Sequence, residues 1–293
     1  ELLVGYYLNK EKWFDADAEK QHDMRVAQVT NEQYMDCLGK AEAMVKEFLK
    51  WAKAHKYSGT VKKVYWTARP GSMSKAVGYE VDQKKNPTDI LVQFTSGPAK
   101  GFLGLSAKAT KGKGDIGFKN PGLGTIEKAL KINLSPIVQK NTDTIIKKLK
   151  LSNSTSQRKA EIRAKPKVQS VTQELGQKTL TELRDALYKK LSTMKQQDLY
   201  KYIISNWMDA EELLPPYIKV TGQGNKAPYQ AKVDDPLNNP KLDALRKGPI
   251  KLEKNGISSI LVSAQGKKLM KMRFKWESEP LASSMKASGD PAG

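Results

Sequence analysis

Asp89 opens an apolar run, Ile90-Leu91-Val92-Gln93-Phe94, and Lys108 follows Gly104-Leu105-Ser106-Ala107 in the next one. If these runs are neighbouring strands joined through Ser96-Gly97-Pro98-Ala99-Lys100-Gly101, the carboxylate and the ammonium can point to one end of a sheet. The rest of the composition narrows what such a pair can do. The chain has one cysteine, Cys37, and 2 histidines, His22 and His55. That is too few for ordinary zinc sites, and it argues against Cys–His or Ser–His nucleophiles. Any catalysis is left to carboxylates, lysines and a hard metal ion.

Several elements must hold this pair in place. Glu1 to about Lys12 reads as a short helix with Leu2, Leu3, Tyr6 and Tyr7 on one face. Thr30 and Gln33 have capping-box spacing and open a long amphipathic helix to about His55, with Tyr34, Leu38, Ala41, Val45, Phe48 and Ala52 on its apolar side. Strands are predicted at Val61–Thr67, Val77–Val81, Ile90–Thr95 and Phe102–Thr110. A basic, glycine-rich loop from Lys111 to Gly124 follows, and then helical sequence from Thr125 to Leu149. Residues 151–178 are rich in Ser, Thr, Gln and Lys, contain Pro166, and read as a linker. Two helices, about 179–193 and 195–208, and a hairpin of Ile257–Ser263 with Lys268–Trp276 complete the reading. The expected fold class is mixed α/β, a central sheet flanked by helices with a helical and β-hairpin C-terminal region. The expected divisions are 1–150, 151–178 and 179–293.

Pro87-Thr88-Asp89 followed by Ser106-Ala107-Lys108 resembles the PD-(D/E)xK nuclease superfamily, which includes many restriction endonucleases. There an aspartate, often after a proline, precedes a carboxylate that stands two residues before a lysine. The resemblance covers about residues 77–125 and the opening helix Glu1–Leu8, which is similar to one that often carries a glutamate. It implies a restriction-endonuclease-like core within residues 1–150 and hydrolysis of phosphodiesters with Mg²⁺ or Mn²⁺. Asp89 would be the main metal ligand, with the carbonyl of Ala107 as a second. Lys108 would orient water or stabilise the transition state. The chain departs from the pattern at Ser106, a neutral hydroxyl where an acid is expected. Glu1 and Glu80 are the candidates to supply the missing charge, Asp115 a more distant one.

The formal net charge is +20 and is unevenly spread. Residues 1–50 carry 7 Lys/Arg against 10 Asp/Glu, residues 51–167 carry 24 against 7, and residues 168–293 carry 20 against 14. Such a field attracts polyanions, above all a phosphate backbone. Arg69, Lys75, Lys111, Lys113, Lys119, Lys267, Lys268, Lys271 and Arg273 are the candidate phosphate contacts. Gly112–Gly117 satisfies G-x-G-x-x-G, but its lysines and the lack of a ribose acid fit a phosphate-touching loop better than a dinucleotide site. The longest apolar run, Leu2–Leu8, falls far short of the about 20 residues of a membrane span. The expectation is an intracellular DNA endonuclease, DNA in preference to RNA, with a homodimer suited to cutting both strands. The alternative is a non-catalytic nucleic-acid-binding protein on a degenerate nuclease fold, which Ser106 favours.

Overall fold

The computed structural model describes residues 1–83, 85–112, 118–208 and 212–292. The chain is mixed α/β and divides into two compact units, residues 1–116 with 211–239, and residues 117–210 with 240–293. Among the described residues no helix is long and apolar enough to cross a membrane.

In the first unit, α1 (Leu2–Leu8) packs on α3 (Asn31–Ala54), with α2 (Ala16–Val26) between them in sequence. The ends of these helices are written into the sequence. Asp15 accepts from the backbone N–H groups of Asp17 and Ala18 to cap α2, and Thr30 and Gln33 form the expected reciprocal capping box on α3. A five-stranded sheet follows, built from β1 (Ser58–Trp66), β2 (Ile90–Ser96), β3 (Phe102–Thr110), β4 (Tyr217–Gln223) and β5 (Gln230–Asp234) in that spatial order. β1, β2 and β3 are mutually antiparallel, β4 runs parallel to β3, and β5 closes antiparallel to β4. One face buries Val64, Ile90, Val92, Leu103, Leu105 and Val220 under α1 and α3. The other buries Leu91 and Phe102 against Val77. A sheet covered on both faces explains why β2 reads as a near-continuous apolar run.

The strand expected at Val77–Val81 is absent. Its first residue ends α4 (Ser72–Val77), and the rest is loop. Gly71 and Gly78 bracket this short helix in the left-handed region, at φ 76° and 80°, so the chain turns in and out where a β-run would stay extended.

The second unit carries α5 (Leu123–Leu130), α6 (Ser135–Leu149), α7 (Thr155–Ala164), α8 (Pro166–Ser192), α9 (Gln196–Ile203) and α10 (Pro240–Lys247). Residues 151–178, expected as a linker, are therefore mostly helix. Pro166 does not break the chain there because it occupies the first turn of α8, where no backbone N–H is needed. Leu183, Leu187 and Leu191 then supply the buried stripe. Their partner is an antiparallel sheet of β6 (Ile250–Asn255), β7 (Ser259–Ala264), β8 (Lys267–Trp276) and β9 (Met285–Pro291), in that order. The predicted hairpin is its centre. Ile260, Val262, Met270, Met272, Phe274 and Ala287 form one core with helical Leu183, Leu187, Ile203, Trp207 and Leu245.

Candidate active site

Asp89 stands immediately before β2, and its position is set by its neighbours rather than by its own side chain. Its N–H donates to Leu105 O on β3 at 2.9 Å, and its carbonyl accepts from the hydroxyl of Thr67 at 2.8 Å. The same hydroxyl donates to Thr88 O at 2.5 Å. Upstream, Asn86 Oδ1 accepts from the N–H and the hydroxyl of Thr88, while its amide donates to Pro215 O at 3.0 Å. Gly104 makes room for this corner, since a Cβ there would lie 2.0 Å from Thr88 Oγ1 and 2.9 Å from Tyr217 Cβ.

β3 supplies the other half. Alternation sends Leu103, Leu105 and Ala107 to the α3 side and Ser106 and Lys108 to the opposite side, where Asp89 also points. Three donors converge on one carboxylate oxygen, Asp89 Oδ2: Ala107 N–H at 2.8 Å, Lys108 Nζ at 3.0 Å and Ser106 Oγ at 3.3 Å. Asp89 Oδ1 accepts from none of the described residues. The pair is only partly covered, with side-chain exposures of 24% for Asp89 and 37% for Lys108, whereas Ser106 is wholly buried.

Asp89 and Lys108 line an open cleft of about 310 Å³ whose wall also includes Glu1, Trp66, Thr67, Gln83, Asn86 and Pro87. Glu1, at the start of α1, thus shares the cleft with Asp89 and Lys108. Glu80 does not line it, because the loop after α4 brings Gln83 there instead. Gln83 donates to the carbonyls of Thr67 and Arg69 and accepts from Met73 N–H, tying that loop to the end of β1. Among the described residues no three of His, Cys, Asp and Glu gather closely enough to hold a metal by themselves. Asp89 and Glu1 are the carboxylates among the residues lining the cleft, oxygen donors of the type a hard cation takes.

The candidate phosphate contacts separate on inspection. Arg69 is already engaged, with Nη2 at 2.7 Å from Asp15 and 2.5 Å from Asp17, and its guanidinium lies 5.8 Å from the Trp66 ring centre. Lys119 belongs to the second unit, where Nζ donates to Ser205 O at 3.1 Å and its backbone pairs with Trp207 and Gly289. Arg273 is paired with Asp290 at 3.0 Å. Lys75, Lys111, Lys267 and Lys268 are exposed and Lys271 is half-buried. Lys113, Asp115 and most of the G-x-G-x-x-G run lie outside the described residues.

Thr67, Gln83 and Asn86 carry no chemistry of their own and were not singled out from sequence. Asn86 lies three residues before Asp89 in a Pro-containing turn, which is the signal that could have marked it. The chain matches no known protein-family model and no curated protein sequence.

Proposed function

We propose that the chain is a metal-dependent nuclease that hydrolyses phosphodiester bonds, acting on DNA, with a core of the restriction-endonuclease type. The observation that carries this reading is the meeting of Asp89 and Lys108 at 3.0 Å, from adjoining strand ends, in a cleft that Glu1 also lines. Asp89 and Glu1 would hold Mg²⁺ or Mn²⁺, with the Ala107 carbonyl as a further oxygen. The bound ion would neutralise developing charge and lower the pKa of an attacking water. Lys108 keeps a cation beside the reacting phosphoryl group, where negative charge grows in the transition state. Ala107 N–H and Ser106 Oγ hold one carboxylate oxygen of Asp89 in place and leave the other for ligation. Incubation of plasmid and linear duplex DNA with Mg²⁺ or Mn²⁺, against EDTA, tests the proposal. Cleavage should require the metal and vanish in Asp89→Ala and Lys108→Ala with duplex binding retained. Wild-type protein that cuts nothing with either metal would sink it.

Ser106 favours a second reading, a binding protein on a nuclease-like scaffold. Its neutral hydroxyl occupies the place of an acid, and no triad of ligating side chains forms among the described residues. Cleavage by Ser106→Glu, where the wild type has none, would decide for this alternative.

A further inference from the structure

The two faces of the four-stranded sheet in the second unit differ completely. The inner face carries the core described above, and even Lys254, at its edge, turns inward to Asp185 at 3.0 Å and to the Tyr188 ring. The strand register fixes what lies opposite. Across the sheet, the outer rows are Lys251, Ser263 and Lys268; then Glu253, Leu261, Lys271 and Asp290; then Asn255, Ser259, Arg273 and Ser288; and last Lys275 with Lys286. An irregularity between Val262 and Ser263 brings Lys268 onto this face.

Six cations therefore share the outer face with two carboxylates. Arg273 is neutralised by Asp290, and Lys286 lies 3.4 Å from Glu277. Lys251, Lys268, Lys271 and Lys275 make no ion pair within the described residues. The small side chains between them are covered all the same. Ser259, Leu261 and Ser288 are 6%, 5% and 1% exposed, and Ser288 Oγ, opposite Arg273, has no hydrogen-bond partner among the described residues.

From this arrangement we infer that the outer face of β6–β9 is a docking surface for the phosphate backbone of duplex nucleic acid, bound without reading its sequence. The inference rests on the nucleic-acid reading above and adds the surface and the form of the substrate. Charge complementarity selects a polyanion. The residue types select the duplex, because single strands are held by stacking bases on aromatic rings, and this face has none. Phe274, the aromatic residue at the centre of β8, is 1% exposed in the inner core. On β8 the outer-face lysines Lys271 and Lys275 stand about 13–14 Å apart along the strand with Arg273 between them, and four strands span about 14 Å. Such a raised row of point charges suits phosphates and has no fork for base edges.

The test is duplex binding in EDTA, measured by fluorescence anisotropy across a salt series, for wild type and for the triple variant Lys251→Gln, Lys271→Gln, Lys275→Gln. The expected result is a plot of log K against log salt that is shallower by about 2.7, at about 0.9 per phosphate contact. Lys140→Gln, Lys147→Gln, Lys148→Gln on α6 should leave the slope as in wild type. Glu253→Gln should raise affinity roughly threefold, the size of one exposed charge interaction, an outcome that damaged folding cannot mimic. A triple variant with the wild-type slope overturns the proposal and leaves the nuclease reading standing, since that depends on cleavage through Asp89. Tighter binding of a single strand than of a duplex of equal length overturns it as well. No duplex binding by wild type removes both.

Discussion

The two sheets of this protein solve the same packing problem in opposite ways. In the five-stranded sheet β2 and β3 are buried on both faces, and Asp89 and Lys108 meet beside the start of β2. The four-stranded sheet carries its hydrophobic core on one face, and on the other cations are spread among small and apolar side chains. Strands buried on both faces leave a few polar groups gathered at one well-defined point beside them. A once-covered sheet distributes many at a regular spacing, which suits a repeating polymer.

That contrast can be broken by experiment, beginning with the largest effect. Asp89→Ala or Lys108→Ala should lower cleavage by at least about 10²–10³-fold, as for loss of a preorganised electrostatic contact. By contrast, the triple lysine variant on the outer face should raise KM and leave kcat unchanged, the mark of binding shared by ground and transition states. Should single-turnover kinetics show both variants acting on kcat, the division between a point for chemistry and a surface for binding fails. Next in size, Gly104→Ala should destabilise the protein by about 1–3 kcal/mol in urea unfolding, because the added carbon forces Thr88 and the Asp89 corner aside. An equal stability with altered cleavage would show that the corner yields rather than the fold. The smallest expected effect is Thr30→Ala. Loss of the capping box should cost about 1 kcal/mol without touching metal dependence.

What could be read from the sequence followed the length of its signals. Phe102–Thr110, the capping box at Thr30 and the hairpin around Gln265-Gly266 each carry a local pattern that tertiary contacts reinforce. β4 was missed because Tyr217–Gln223 contains Lys219 and Gly222 and follows Pro215-Pro216, so its strand character comes from pairing with β3. β9 was missed for the same reason, as Lys286, Gly289 and Pro291 dilute a strand that β8 imposes. The helical residues at 155–178 were hidden by polar composition, since only about every fourth residue of α8 is buried. At the cleft, Asp89, Lys108 and Glu1 were legible as residue types. Gln83 was not, because its role is to bind carbonyls that the fold brings to it.

The order of the chain has a consequence in time. β3 pairs in parallel with β4, yet Thr110 and Tyr217 are separated in sequence by residues 117–210, the first segment of the second unit. At synthesis rates of about 5–20 residues per second, β3 leaves the ribosome several seconds before its neighbour exists. During that interval Leu103 and Leu105 stand on an unpaired edge, and the wall carrying Lys108 is incomplete. β4 is made only after the helical segment 117–210, and β6–β9 follow it, so a chain arrested near residue 210 would be prone to aggregate through β3.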